Sequence, residues 1–230
     1  MKAKDVMTTS IVSVDPDTRI EKIAQLLLDH HISAVPVIDG RGRVIGMVSE
    51  GDLMRRPELR TEGRVSWWLD LLSGPEERAR MYLKSHGLTA HDVMTREVIT
   101  ISENTPLERI ATLLEHNHIK RVPVLRRGKL VGIASRANLL HGLVARGGKG
   151  AKITNPSTTR IRQDVMTEFR RIGLRTDFVN VVAANGVVQL WGWVKSAAQR
   201  KAAALSARRV AGVRKVENRI SIQPATLGWE

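Results

Sequence analysis

The chain of 230 residues contains no cysteine and has few aromatic residues. The absence of cysteine excludes disulfide bonds, thiolate metal sites and a cysteine nucleophile, and it is typical of a reducing compartment. Aromatic residues make up only 3% of the chain, and neither a helix-turn-helix nor an RNA-binding motif is present. Both observations disfavour a nucleic-acid-binding function.

Long apolar runs are also missing. A membrane-spanning helix needs about 18 apolar residues, and the most apolar stretch, residues 178–194, is interrupted by polar residues and glycines. The N-terminus continues directly into repeated sequence and shows no apolar stretch of signal-peptide length. We therefore expect a cytoplasmic protein.

Positive charge is in excess and unevenly distributed. The formal net charge is +14, and residues 151–230 hold 14 Lys and Arg against 5 Asp and Glu. Such an excess favours an anionic partner, for example nucleic acid or membrane phosphates. A solvated basic surface that keeps the protein soluble explains the same charge equally well.

The most informative feature is an internal repeat at an interval of 87 residues. The block Asp5-Val6-Met7-Thr8 returns at residues 92–95, and Val35-Pro36-Val37 returns at residues 122–124. The block Gly46-Met47-Val48-Ser49 returns in the related form Gly132-Ile133-Ala134-Ser135, now 86 positions later. A unit of roughly 55 to 60 residues is seldom stable alone. We therefore expect a pseudo-symmetric pair of units with a functional cleft between them.

Each repeat has the pattern of a small α+β unit. Residues 11–14 predict a short strand, and Thr18 with Glu21 has the spacing of a helix capping box. Apolar residues at helical spacing from Ile20 to Leu28 predict a helix that His30-His31 close, and strands at 35–38 and 43–48 form a predicted hairpin. The second repeat copies this order, with Thr105 and Glu108 as the corresponding capping pair.

The predicted domain boundaries are 1–57 for the first unit, 58–90 for a helical insert, 91–146 for the second unit, 147–157 for a glycine-rich linker and 158–223 for a C-terminal domain. That domain has the order helix–strand–strand–helix–strand, with a hairpin turn at Asn185-Gly186 and Ser196 as the cap of its second helix. The predicted fold class is α+β: two pseudo-symmetric units of small β-sheets with helices, followed by a small α-β-β-α-β sandwich.

Two strand-to-helix junctions carry the candidate chemistry. Ser49 and Asp52, like Ser135 and Asn138, lie three positions apart and share one face of a first helical turn. The free N–H groups there favour anions, so such a junction can hold a nucleotide, with the carboxylate accepting from the ribose. Simple helix capping explains the same pattern.

Together, the Val-Pro-Val, Gly-x-x-Ser-x-x-Asp/Asn and Asp-Val-Met-Thr blocks resemble the tandem CBS-domain pair, or Bateman module, over roughly residues 1–145. The resemblance implies two units packed sheet against sheet, adenine-containing ligands (AMP, ADP, ATP, NAD or S-adenosylmethionine) between them, and a homodimer. It places the ribose-binding acid on Asp52, with Asn138 at the matching position. It implies Lys120 and Arg121 as phosphate ligands, Arg136 as a further candidate, and base contacts from Thr9 and Thr95. The implied nucleotide-binding set is completed by Ser33, Ala34, Val35, Pro36, Ser49, Val122, Pro123 and Ser135.

Residues 158–223 resemble the BON domain through the Asn185-Gly186-Val187-Val188 hairpin, Gly192-x-Val194 and Gly212-Val213-x-x-Val216-x-Asn218. The resemblance implies binding to phospholipid or to a partner protein, without catalysis. On the second helix, cations at positions 200, 201, 208 and 209 form either a surface for an anionic partner or a solvated helix face. These residues are Arg200, Lys201, Arg208 and Arg209.

The sequence therefore predicts an adenine-nucleotide-sensing regulatory protein that signals through a BON output domain, without catalytic residues or catalytic cofactor. His116 and His118 lack the spacing of a helical zinc site, so we expect no metal. The alternative is a membrane-surface or nucleic-acid-binding adaptor that acts through the basic BON domain with an empty, structural CBS pair. Of these partners, nucleic acid is the less favoured.

Overall fold

The computed structural model describes residues 1–54, 86–146, 156–176 and 178–222. The predicted insert lies outside the described residues up to residue 85, and the predicted linker does so from 147 to 155. The chain forms two compact units. The first-repeat unit comprises Val12–Ile99 and Arg127–Leu130, and the second-repeat unit comprises Met1–Ile11, Thr100–Arg126 and Val131–Glu230.

The described residues form small β-sheets together with helices, which confirms the predicted α+β class. In chain order they are α1 (Ala3–Val6), α2 (Ile20–Asp29), β1 (Ala34–Ile38), β2 (Val44–Ser49), α3 (Glu50–Met54), α4 (Ala90–Val93), β3 (Ile101–Ser102), α5 (Leu107–His116), β4 (Arg121–Arg126), β5 (Lys129–Ser135), α6 (Arg136–Arg146), α7 (Pro156–Arg171), β6 (Val179–Ala184), β7 (Val187–Val194), α8 (Ala197–Arg208) and β8 (Lys215–Ile222).

In the first-repeat unit, β1 and β2 form the predicted antiparallel hairpin, with Val35 opposite Val48. Residues 35–37 of β1 and alternate residues of β2 are buried, and Val35, Val37 and Val48 share a core with α2, whose apolar residues recur at helical spacing. The strand predicted at residues 11–14 is reduced to a single parallel bridge between Val14 and Val37. The core of this unit contains Val14, Ile20, Ile23, Leu27, Val35, Val37, Val48, Leu53, Ala90, Val93 and Met94.

The predicted capping of α2 by Thr18 is wrong. The helix begins at Ile20 after Arg19, and the Thr18 hydroxyl instead accepts a hydrogen bond from the Asp15 amide at 3.1 Å. The Thr18 carbonyl accepts from the Ala90 amide at 2.8 Å, so a tertiary contact holds this residue in the preceding turn. The matching Thr105 does the same: its carbonyl accepts from the Ala3 amide at 2.8 Å, and α5 begins only at residue 107.

In the second-repeat unit, a three-stranded sheet has the order β3-β4-β5. Ile101 pairs in parallel with Val124, as Val14 pairs with Val37 one repeat earlier. The turn between β4 and β5, whose residues are counted with the first-repeat unit, passes through Arg127 and Gly128, which both have positive φ. Glycine adopts this conformation without steric cost.

The opening block of each repeat lies in the unit formed by the other repeat. Thr8 pairs with Ile133 of the second repeat, and Thr95 pairs with Met47 of the first. This exchange explains the glycine of the third repeated block. A Cβ at Gly132 would lie 2.8 Å from Cγ of Met7 and 3.1 Å from the Thr8 carbonyl oxygen, too close to fit without a shift.

The C-terminal domain, α7 to β8, has the predicted helix–strand–strand–helix–strand order. Its sheet has the order β6-β7-β8, with β6 and β7 antiparallel and β7 and β8 parallel. The hairpin turn lies at Asn185-Gly186, both at positive φ, and the Ser196 hydroxyl accepts from the Gln199 amide at the start of α8. Both sequence predictions are confirmed. Buried apolar side chains of α7 and α8 pack on one face of this sheet.

Candidate functional site

In the first-repeat unit, the start of α3 lies beside the entrance to β1. The Glu50 amide donates to the Ser33 carbonyl at 3.1 Å, and Ala34 pairs with Ser49 across the hairpin. Oδ2 of Asp52 accepts from the Ser49 amide at 2.9 Å and from its hydroxyl at 2.7 Å. We call this group the first corner; it comprises Ser33, Ala34, Ser49, Glu50 and Asp52, with Thr95 added by its pairing with Met47.

The second-repeat unit builds the same arrangement from the matching residues. The Arg136 amide donates to the Lys120 carbonyl at 3.2 Å, which sets the start of α6 beside the entrance to β4. Thr9 follows Thr8, which pairs with Ile133 in β5. We call this group the second corner; it comprises Thr9, Lys120, Arg121, Ser135, Arg136 and Asn138. Lys120, Arg136 and Thr9 are exposed, and Arg121 is half-buried.

The remaining predicted nucleotide-site residues lie beneath these corners. Val35 and Val122 are buried completely, and Pro36 and Pro123 are also buried. Their side chains therefore belong to the buried core under β1 and β4, the strands that begin at the two corners.

Asn138 differs from Asp52 in the hydrogen bonds that its side chain makes. Oδ1 of Asn138 accepts from the Ser135 amide at 2.8 Å and its hydroxyl at 2.7 Å, as Asp52 does with Ser49. Its Nδ2 donates to the Val6 carbonyl at 2.9 Å, and only 4% of the residue is exposed. A carboxylate has no proton to donate to that carbonyl. The amide therefore ties the second corner to residues 1–11, which we call the opening segment.

The two corners carry opposite charges. The first corner holds two carboxylates, Glu50 and Asp52, where the second holds Arg136 and Asn138. The entrance to β1 is Ser33-Ala34, whereas the entrance to β4 is Lys120-Arg121. The second corner is therefore the more electropositive of the two, which favours anions there.

The four cations predicted as one surface on α8 lie in two places. Three of them, Arg200, Lys201 and Arg208, line a groove together with Leu205 and Ile222. Those two apolar residues are 62% and 41% exposed. Arg209 lines a different depression, which it shares with Asp164, Glu168 and Arg171. We call the first of these the basic groove.

The C-terminal domain is attached to the opening segment through Arg162 of α7, which sequence analysis did not identify. The guanidinium donates from Nε to the Val181 carbonyl at 2.8 Å, from Nη1 to the Lys4 carbonyl at 2.7 Å, and from Nη2 to the Met7 carbonyl. Burial lowers the pKa of Arg162 to about 10, and the nearby Asp5 opposes that shift, so the side chain remains charged at neutral pH. Arg162 lies three residues before Val165 and seven before Phe169, on the apolar face of α7, and this spacing in the sequence indicates that its side chain is buried.

A second contact joins α6 to the C-terminal sheet. The ring of His141 stacks on Trp191, with centroids 4.7 Å apart, and Nδ1 lies 3.1 Å from Nδ2 of Asn180. Burial lowers the pKa of His141 below its ordinary value. Nδ2 of Asn180 also donates to the Val6 carbonyl at 3.3 Å. The same carbonyl thus receives amide donors from α6 and from β6.

Among the described residues, no group of three or more His, Cys, Asp or Glu side chains has the arrangement of a metal site. No helix in the described ranges has the length and apolarity required to cross a bilayer.

Two family models match the chain. The CBS-domain model matches residues 3–58 and 90–145, and the BON-domain model matches residues 157–224. The CBS domain-containing protein YhcV of Bacillus subtilis is 27% identical over 159 residues, which cover 69% of this chain and 96% of that protein. Protein MJ1426 of Methanocaldococcus jannaschii is 30% identical over 155 residues, which cover 63% of this chain and 92% of that protein.

Solved structures show the same relationship. The crystal structure of CBSX2, a chloroplastic protein of Arabidopsis thaliana, was determined in complex with AMP. It is 29% identical to this chain, with a TM-score of 0.55, over 62% of this chain and 96% of that one. The chain belongs to the CBS-domain proteins, and it carries two CBS domains followed by a BON domain.

Proposed function

We propose that this protein senses an adenine nucleotide through its CBS pair and transmits the bound state to its BON domain. The observation that carries the proposal is the construction of the two corners. Each brings a strand entrance, a helix start and the opening block of the other repeat together, in a chain similar to a CBS protein crystallised with AMP.

The second corner supplies the phosphate contacts in this proposal. Lys120, Arg121 and Arg136 provide three cations without a carboxylate at the matching positions. Charge-assisted hydrogen bonds from such groups to phosphate are about twice as strong as neutral ones. This corner therefore favours AMP, ADP, ATP or NAD, which carry phosphate, over S-adenosylmethionine, which carries none.

The first corner supplies a ribose contact. A carboxylate such as Asp52 accepts hydrogen bonds from the paired ribose hydroxyls, and Thr95, which pairs with Met47, is the proposed base contact. The two carboxylates of this corner repel phosphate. A nucleoside, or a ligand whose phosphates extend away from Asp52, is the expected occupant.

Regulation, rather than catalysis, is the proposed role. A ligand shifts a conformational equilibrium only by its differential affinity for the two states, and the opening segment offers an element that both the second corner and the BON domain contact. We further propose that the protein forms a homodimer through its CBS pair.

Calorimetric titration of the full chain with AMP, ADP, ATP, NAD and S-adenosylmethionine tests the proposal. Asp52→Ala removes charge-assisted hydrogen bonds and is expected to weaken binding by ~1.5–3 kcal/mol. The double variant Lys120→Ala/Arg121→Ala is expected to lose more affinity for ATP than for adenosine. Absence of binding by the whole panel would refute nucleotide sensing.

A second candidate function uses the basic groove. Its three cations lie beside exposed Leu205 and Ile222, a combination that suits an anionic membrane surface or a nucleic acid. In this alternative, the CBS pair is an empty scaffold. Sedimentation with phosphatidylserine liposomes, abolished by Arg200→Glu/Lys201→Glu, would support the membrane adaptor, and DNA or RNA binding that falls steeply with salt would support the nucleic-acid adaptor.

A further inference from the structure

The opening segment is held by donors from the BON domain. The guanidinium of Arg162 donates to the carbonyls of Lys4 and Met7, while Nδ2 of Asn180 donates to the carbonyl of Val6. These carbonyls lie at the end of α1, where a helix leaves its last C=O groups without partners in the helix.

The same segment reaches the second corner within a few residues. Thr8 pairs with Ile133, each donating its amide to the other's carbonyl at 2.9 Å. The Val6 carbonyl accepts from Nδ2 of Asn138, a member of the second corner. Thr9, the proposed base contact, follows directly. The backbone from Lys4 to Thr9 is thus held on one side by the corner and on the other by the BON domain.

Burial makes the Arg162 contact specific. Only 5% of the residue is exposed, so its charge has almost no solvation from water. A buried charge is costly unless it is hydrogen-bonded throughout. Its three carbonyl partners belong to β6 and to the opening segment. Any movement of α7 away from the opening segment would remove two of these three partners, the carbonyls of Lys4 and Met7, from a buried charge.

We infer that Arg162 is a positioning residue of the nucleotide site, and that the BON domain completes the second corner. The inference rests on the proposed function. The guanidinium sets the backbone of Met7 and Thr8, and through it the position of Thr9 and the amide of Asn138. Because coupling between two sites is reciprocal, nucleotide bound at the second corner stabilises the contact between the BON domain and the opening segment.

The test compares three full-length variants with the wild-type chain, using ATP as the probe. Arg162→Met removes the donors and retains an apolar stem, whereas Arg162→Lys restores the charge without the planar fork. Arg160→Met is the matched control, because that side chain lies on the same helix, is 84% exposed, and only approaches Asp164 at 3.9 Å. Calorimetry gives the Kd of each protein.

We expect Arg162→Met to weaken ATP binding about fivefold or more, the lower end of typical coupling between sites. Arg162→Lys should recover part of that loss, and Arg160→Met should match the wild type. Equal affinity in the wild type and Arg162→Met would overturn the inference. Failure of the wild-type chain to bind any nucleotide would instead refute the proposed function.

Hydrogen exchange provides a readout that general destabilisation does not imitate. In the wild type, ATP should slow amide exchange in residues 4–10 and also in β6, which contacts Arg162 but lies outside the second corner. In Arg162→Lys, which retains the charge, protection of residues 4–10 should persist while that of β6 declines. ATP-dependent protection confined to the CBS domains of the wild type would contradict the coupling. If Arg162→Met does not fold, the milder variant Asn180→Ala replaces it in the affinity and exchange measurements, because it removes the donor from β6 to the Val6 carbonyl.

Discussion

Replacement of Asn138 by aspartate tests how the second corner is connected to the opening segment. In the wild type, Nδ2 of Asn138 donates to the Val6 carbonyl at 2.9 Å, while Oδ1 accepts from Ser135. Asn138→Asp preserves the size of the side chain and the contacts with Ser135. It places a carboxylate oxygen against the Val6 carbonyl, where two acceptors meet without a proton between them.

The magnitude follows from burial. Loss of the hydrogen bond to Val6 costs about 0.5–1.5 kcal/mol, and a carboxylate with 4% of the residue exposed adds a desolvation cost. Together we expect Asn138→Asp to destabilise the protein by about 2–3 kcal/mol at neutral pH. For a chain of this size, that corresponds to a fall of about 4–12 °C in Tm.

The pH dependence identifies the cause. Burial and the facing carbonyl raise the pKa of a carboxyl at position 138 in the folded state. When protonated, that carboxyl donates to Val6 as the amide did. The destabilisation is therefore small below the unfolded pKa of about 3.9, and it grows as the pH rises toward the folded pKa. Circular dichroism melts between pH 4 and pH 8 measure the difference in Tm between Asn138→Asp and the wild type at each pH.

Asp52→Asn is the reciprocal control in the first corner. An amide at position 52 can still accept from Ser49, so we expect a smaller change in Tm than for Asn138→Asp. A Tm difference between Asn138→Asp and wild type that is the same at pH 4 and pH 8 would refute the assignment of a donor to the Val6 carbonyl.

Two further predictions concern stability. Gly132→Ala is expected to destabilise the protein by about 1–3 kcal/mol, because the added methyl group overlaps Met7. The control is Gly40→Ala, where nothing lies within 4 Å of the added Cβ. Equal urea midpoints for the two variants would contradict the packing of the opening block of the first repeat against β5. The hydrogen bond from Arg126 lowers the pKa of Glu103, so this pair stabilises the fold above the unfolded pKa of Glu103 and ceases to do so as the pH falls through the folded pKa. Urea titrations should therefore show Glu103→Gln less stable than wild type at pH 7, with the difference lost in acid, and a difference that persists in acid would contradict the assignment.

Much of the fold could be predicted because it depends on residues close together in the chain. The Asn185-Gly186 turn combines two positive φ angles that suit this pair, and the Ser196 cap needs only the amide three residues later. The repeated blocks likewise located both corners. Each of these features has a local pattern with a local physical cause.

The errors arose where a distant residue competed for a local group. Thr18 and Thr105 have the spacing of helix caps, but their carbonyls accept from Ala90 and Ala3, and both helices begin later. No pattern within either segment shows that an amide more than 70 positions away donates a hydrogen bond to the threonine carbonyl. The same reason explains why the exchange of opening blocks was not predicted.

The sequence by itself determined that two similar units and a smaller α+β domain follow one another, because periodicity and turn chemistry act over a few residues. It also determined the charge contrast between the corners. Only the tertiary structure decided that Asn138 donates to Val6, 132 positions away, and that Arg162 reaches Lys4, 158 positions away. The physical reason is that a buried donor is stabilised by whichever acceptor the folded chain places beside it, and this acceptor leaves no trace in the donor's own neighbourhood.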